Sequence, residues 1–304
     1  MSRSLVIGSR GSKLALWQAE QARERLLLLN PQIDIRIEII KTTGDVKSDP
    51  LSVIGGKGVF TKELEDALLD GRIDLAVHSL KDLPTILPDG LTISAICERE
   101  DARDALVLRS DLPIEDSSLL NLPESAVVGT SSQRRLAQLK ALRRDVVVKD
   151  LRGNVDTRIR KLDEGQYDAV ILASAGLVRL SLQNRISARI ASSEMLPAVG
   201  QGAIAIETRS DNKLALEATS KLDHRETRLA CLAERAFLRA LGGGCQLPIA
   251  AHATIDGQLI NLDGLVAKPD GSEIWRDRLS GSVNQAEDIG SALATKLIER
   301  GATL

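Results

Sequence analysis

Two stretches of this sequence, "IGSRGSKLA" at residues 7–15 and "VGTSSQRRLA" at 128–137, share one arrangement. In each, an apolar strand-like run meets a glycine and then hydroxyl side chains, and a helix opens with a serine cap and an arginine close by. Ser12, Thr130 and Ser132 are the cap-forming hydroxyls, and Arg10, Arg134 and Arg135 the nearby cations. The first turn of a helix already carries partial positive charge. A guanidinium added there works against the helix unless an anion occupies the spot. Two such sites describe a cleft that grips carboxylates or phosphates from two sides.

Further arginines follow strand ends, where ligands of open α/β sheets sit. "DLRGNVDTRIRKL" places Arg152 at a strand end and Arg158 in the next helix, and "SAGLVRL" places Arg179 beyond another strand. Arginine suits bidentate pairing with carboxylates better than lysine does. "AVHSLKDLP" closes a buried strand with Ser79, Lys81 and Asp82. Asp82 reads as a solvated turn residue or as a carboxylate delivered to a cleft floor, a candidate general acid or base. "LGGGCQLP" sets Cys245 behind three glycines, which leave the backbone open to a bulky group. "IGGKGVFTKELE" lacks the glycine-to-lysine spacing of a phosphate loop. The aperiodic run over 42–60, which holds Lys57 and Phe60, reads instead as a mobile lid.

Composition narrows the classes. The chain has 304 residues, 27% charged and 43% hydrophobic, which is globular. No apolar run reaches the length of a membrane span, and "MSRSLVIGSRGSK" lacks the apolar core of a signal peptide, so a cytoplasmic location is expected. A net charge of −2 and 2% aromatics argue against a nucleic-acid binder. Cys97, Cys231 and Cys245 are odd in number and far apart, so reduced thiols are expected, Cys97 and Cys231 as core residues. His78, His224 and His252 are scattered, and no metal-ligand spacing occurs.

The elements that position these residues alternate strand and helix. Strand-like runs at 4–9, 33–42 and 73–79 frame helices over 12–29 and 61–70. After a Pro/Ser/Asp-rich connector the same grammar restarts. Strand-like runs at 126–131, 145–151 and 167–174 frame helices near 132–143 and 154–164. "VGQGAIAIE" reads as another buried strand that returns the chain to its first part. A helix over 224–241, three strand-like runs between 249 and 279, and a helix over 285–300 then make a small α+β domain, with turns at "IDGQ" and "PDGS". The expectation is an α/β chain of two lobes with mixed sheets and a C-terminal domain with a three-stranded sheet. The lobes span 1–100 plus about 198–220 and 103–195, and the C-terminal domain 222–304.

Taken together, "GSRGSKLALWQAE", "GGKGVFTKELE", "AVHSLKDLP", "ICEREDARDAL", "VGTSSQRRLAQL", "LRGNVDTRIRKL", "PAVGQGA" and "GGGCQLPIA" resemble the porphobilinogen deaminase (hydroxymethylbilane synthase) family over essentially the whole chain. One departure is "SKLALWQ", where that family more often has proline before the leucine. The resemblance implies lobes like those of periplasmic binding proteins. It implies a reaction joining four porphobilinogen units head to tail with loss of four ammonia molecules, in tetrapyrrole synthesis. It also implies a dipyrromethane cofactor held through a thioether to Cys245, no metal, and a monomer without membrane or nucleic-acid partners.

By motif, Asp82 contacts pyrrole nitrogens and stabilises the cation left as ammonia departs. Ser79, Lys81, Thr130, Ser132, Arg134 and Arg135 hold the cofactor. Arg10, Ser12, Arg152, Arg158, Arg179 and Gln201 hold the substrate or growing chain, and Lys57 and Phe60 belong to the lid. Each pyrrole carries an acetate and a propionate, so an arginine-lined cleft is the electrostatic answer. Two other classes share some of these features: a two-lobed anion-binding module without catalysis, which needs neither Asp82 nor the Cys245 loop, and a thiol enzyme with Cys245 as nucleophile.

Overall fold

The computed structural model describes residues 3–43, 60–112, 118–243 and 247–303. They form two compact units, Met1–Glu100 with Ala203–Leu229, and Asp101–Gly202 with Ala230–Leu304.

The first unit is a five-stranded mixed sheet. Along the chain run β1 (Arg3–Ser9), α1 (Lys13–Leu29), β2 (Ile33–Ile39), α2 (Lys62–Leu69), β3 (Leu75–Ser79) and β4 (Leu91–Ile96). The chain later returns with β10 (Ile204–Arg209) and α6 (Lys213–Ser220). The spatial order is β2-β1-β3-β10-β4, with β1 parallel to β2 and β3, and β10 antiparallel to β3 and β4. Alternate side chains of a strand face opposite ways, and both faces of β3 are covered. Leu75 and Val77 join Leu5, Ile7, Ala19, Ala22 and Leu26 in one core, while Ala76 joins Leu64, Ala67 and Leu68 in another. Each fully buried leucine contributes about 1.5–3 kcal/mol. That is why "LAV" of β3 is apolar throughout rather than alternating.

The second unit holds β5 (Asp104–Leu108), β6 (Val127–Gly129), α3 (Gln133–Leu142), β7 (Val147–Lys149), α4 (Val155–Asp163), β8 (Ala169–Ala173), α5 (Ser174–Arg179) and β9 (Ala188–Arg189). Its sheet order is β7-β6-β8-β5-β9, with β5 antiparallel to its neighbours β8 and β9. Order and strand sense therefore repeat those of the first sheet, with β5 in the place of β10. The helix α7 (Arg225–Ala240) leads to a three-stranded antiparallel sheet of β11 (Ile249–Asp256), β12 (Leu259–Ala267) and β13 (Ile274–Ser282), followed by α8 (Ala286–Glu299). The turn between β11 and β12 has Gly257 at φ 59°, the left-handed region that favours glycine.

The repetition extends to single hydrogen bonds. Asp74 donates its N–H to the Val6 carbonyl at 2.8 Å, and its Oδ2 accepts from Val6 N–H at 2.9 Å. Asp168 makes the same double lock with Val127, both bonds at 2.8 Å. The glycines that precede the helix caps serve packing. A Cβ on Gly8 would fall 2.3 Å from Ile73 Cδ1, and one on Gly129 2.8 Å from Tyr167 Cδ1.

Element positions differ from the sequence expectations in a few places. The strand expected over 33–42 ends at Ile39, because Ile40 donates to Ser9 O and the chain then leaves the ladder. The strand-like run expected around Cys97 is β4, while the strands β5 and β9 and the helices α5 and α6 have no counterpart in the sequence periodicity. They are short, and α5 starts directly where β8 ends. Cys97 extends the β4 pairing by donating to Ile204 O, and Cys97 and Cys231 are buried thiols.

Candidate functional site

In the first unit Arg10, Ser12, Phe60, Ser79 and Asp82 line one solvent-open pocket together with Gln18, and Lys81 is not part of its wall. Ser12 is the cap of α1 and accepts from Ala15 N–H at 3.3 Å. Arg10 lies over the Phe60 ring, 4.2 Å from its centre. Ser79 ends β3 and accepts from Nε2 of the buried Gln18 at 2.9 Å.

Asp82 stands on a single helical turn, Leu80–Asp82. Leu80 is 1% exposed and Leu83 3%, while Asp82 is exposed and Lys81 half-buried. Leu80 donates to Ala203 O at 3.0 Å, and Leu83 to Leu80 O at 3.2 Å. "LKDL" thus buries both leucines and leaves its two charges at the surface, with the carboxylate at the pocket wall.

A polar cluster that the sequence reading missed reaches the pocket through His78, one of its lining residues. His78 Nε2 meets Glu207 Oε2 at 2.9 Å, with Glu207 fully buried. Glu65, 6% exposed on α2, has its pKa raised first by burial and further by the charge of Glu207, against the Thr61 hydroxyl and His78.

In the second unit Thr130, Ser132, Arg134 and Arg135 gather at the start of α3. Ser132 caps α3, accepting from Arg135 N–H at 3.5 Å, and donates its own N–H to Thr130 Oγ1 at 3.2 Å. The two guanidiniums turn to Asp104, at 0% exposure. Arg134 Nη1 donates to Oδ2 at 2.7 Å, and Arg135 Nη2 to Oδ1 at 2.7 Å. Gln201 Nε2 donates to the same Oδ1 at 2.9 Å and to Ala102 O at 2.7 Å. Burial alone would raise the Asp104 pKa, but the charges and hydrogen bonds of Arg134 and Arg135 outweigh it and hold the carboxyl far below the usual range.

Arg179, on α5, donates to Gly202 O at 2.6 Å. Arg158, on α4, donates from Nε to Gly153 O at 2.7 Å, and the Arg152 carbonyl accepts from Lys161 Nζ at 3.3 Å. The structure thus brings together Arg10, Ser12, Phe60, Ser79 and Asp82 in one unit. It brings together Thr130, Ser132, Arg134, Arg135 and Gln201 in the other. Lys57 and Cys245 lie outside the described residues, as does most of the 42–60 run.

Asp104 is the central residue that sequence reasoning did not name, although "ICEREDARDAL" contains it. Its signal was an acid opening a short apolar run. Among the described residues no group of three His, Cys, Asp or Glu could hold a metal ion, and no helix is long and apolar enough to cross a membrane.

Two family models match the chain: "Porphobilinogen deaminase, dipyromethane cofactor binding domain" over residues 5–217, and "Porphobilinogen deaminase, C-terminal domain" over 228–299. The porphobilinogen deaminase of Chromobacterium violaceum is 51% identical over 98% of this chain and 95% of the relative. That of Pelotomaculum thermopropionicum is 50% identical over 99% and 96%. Among solved structures, the second substrate binding domain of a putative amino acid ABC transporter from Streptococcus pneumoniae matches at a TM-score of 0.47 and 15% identity, over 78% of this chain and 94% of that one. The asparate-bearing pocket and the arginine cluster both fall within residues 5–217, and the chain belongs to the porphobilinogen deaminase family of enzymes.

Proposed function

We propose that this chain joins four porphobilinogen molecules head to tail into hydroxymethylbilane, with release of four ammonia molecules, in tetrapyrrole synthesis. The observation that carries the reading is the placement of Asp82, an exposed carboxylate held at the wall of a pocket that also presents Arg10 and Ser12. A carboxylate there accepts a pyrrole N–H and stabilises the positive charge that develops on substrate as ammonia leaves. It also takes and returns protons at its Oδ atoms. Arg10, Ser12, Arg152, Arg158, Arg179 and Gln201 bind the acetate and propionate groups of substrate and growing chain.

The residues fit a dipyrromethane cofactor. Around Asp104 two buried guanidiniums share one carboxylate, an excess of positive charge that suits a group bearing carboxylates. Ser79, Lys81, Thr130, Ser132, Arg134 and Arg135 hold those carboxylates, and Cys245 attaches the group through a thioether. When bound, the dipyrromethane supplies the pyrrole carbon to which the first substrate is joined. Lys57 and Phe60 belong to the lid. The chain comprises three domains, 1–100 with about 198–220, 103–195 and 222–304, and works as a cytoplasmic monomer without membrane or nucleic-acid partners.

Intact-protein mass spectrometry tests the reading. The purified chain is expected to exceed its sequence mass by two linked pyrrole units, confined to the peptide containing "GGGCQLP". That addition resists thiol reductants, because a thioether has no sulfur–sulfur bond to exchange. A Cys245→Ser chain is expected at sequence mass, folded and inactive, while serine at Cys97 or Cys231 leaves the addition in place. Active protein with an unmodified Cys245 would overturn the cofactor assignment.

A further inference from the structure

Asp104 is the first residue of β5, and it gathers side chains from segments far away in sequence. Its Oδ1 accepts from Arg135 Nη2 and Nε at 2.7 and 3.1 Å, from Arg134 Nη2 at 3.3 Å and from Gln201 Nε2 at 2.9 Å, and its Oδ2 accepts from Arg134 Nη1 at 2.7 Å. Further bonds complete the hold. Arg134 Nη1 also donates to Leu196 O, and Arg135 Nη1 to Ile171 O, at 2.7 and 2.8 Å. Arg134 is 4% exposed and Arg135 5%, so Asp104 and these carbonyls, rather than solvent, set where each fork points.

A buried ion pair is a weak source of net stability, because desolvation offsets most of the attraction. Holding long cationic side chains in one rotamer does something else. It removes in advance the ordering cost that a ligand would otherwise meet. One carboxylate against two guanidiniums also leaves a single positive charge in excess, which one ligand carboxylate neutralises. We propose that Asp104 is the positioning residue of the carboxylate-binding site in this unit. It orients Arg134, Arg135 and Gln201 toward an acidic pyrrole ligand without touching that ligand itself. This inference rests on the reading that those three residues bind carboxylates of cofactor and growing chain.

The test compares wild type, Asp104→Glu and Asp104→Asn, each purified as the full chain. Folding is followed by circular dichroism and melting, the added mass by intact-protein mass spectrometry, and kcat and KM are measured with porphobilinogen. Glutamate keeps the charge balance but displaces the carboxylate by one methylene. Folded Asp104→Glu is expected to show a tenfold or greater rise in KM, a smaller change in kcat, and a fraction of chains at bare sequence mass. Asp104→Asn is expected to lose the added mass from most chains. Folded Asp104→Glu with wild-type KM and full added mass would overturn the proposal. Failure of both variants to fold would make Asp104 a folding residue and overturn it as well. A wild-type chain at sequence mass would instead overturn the cofactor reading on which the proposal stands, so the two failures are told apart.

Discussion

The guanidinium carbon of Arg10 sits 4.2 Å from the centre of the Phe60 ring, at the wall of the pocket that holds Asp82. A cation over an aromatic face gains about 0.5–2 kcal/mol, more as water is excluded. Phe60→Leu keeps the apolar bulk and loses the ring. The expected outcome is a rise in KM of about two- to thirtyfold with kcat little changed, the range that energy implies. An unchanged KM would remove Phe60 from substrate binding.

Asp82→Asn keeps the shape of the side chain and loses its charge. Turnover is expected to fall by about two orders of magnitude or more, the size of effect typical where a fixed charge faces developing charge. Since Asp82 is exposed and the turn is anchored by Leu80 and Leu83, melting should be unchanged and the mass at Cys245 retained. Near-normal product formation would return Asp82 to an ordinary turn residue.

Arg152→Leu and Arg158→Leu each remove a charge-assisted partner for a carboxylate, a loss of about 1.5–3 kcal/mol, or roughly ten- to a hundredfold in binding or turnover. Steady-state kinetics on folded variants decide the matter. Wild-type values in both would take the β7–α4 turn out of the site.

Glu65 provides a prediction in pH. Burial, joined by the charge of Glu207 nearby, raises its pKa above the ordinary 4.5, while Thr61 and His78 oppose the shift. The folded state therefore holds this proton more tightly than the unfolded chain. Its stabilising effect is complete below pH 4.5 and is lost as pH rises from there through the raised folded value. Glu65→Gln removes that titration. The variant is expected to melt higher than the parent near pH 7, by about 2–4 °C for each kcal/mol relieved, with the advantage vanishing near pH 4. Parallel melting curves across that range would contradict it.

What the sequence made legible was local. Ser12 and Ser132 cap helices through bonds to residues three positions on, and the exposure of Asp82 follows from the two leucines beside it. The missed residues find their partners at long range. Asp104 reaches Arg134, Arg135 and Gln201 across 30, 31 and 97 positions, and His78 reaches Glu207 across 129. Periodicity registers which side of an element is apolar. It carries no information about which buried acid closes on which distant base. The arginines of α3 were visible as cations near a helix start, while the carboxylate that orients them was not.

The insertion of β10 between β3 and β4 has a consequence for the newborn polypeptide. The second sheet is complete once residue 189 has left the ribosome, because its strands run from 104 to 189 without interruption. The first sheet cannot close then, since β4 bonds to the rest only through β10 at 204–209. Although translated first, this sheet closes after the second one, and β4 waits with an open edge for a strand emitted about a hundred residues later. Stalled nascent chains whose emerged part ends near residue 195 should show amide protection across β5–β8 and none in β4.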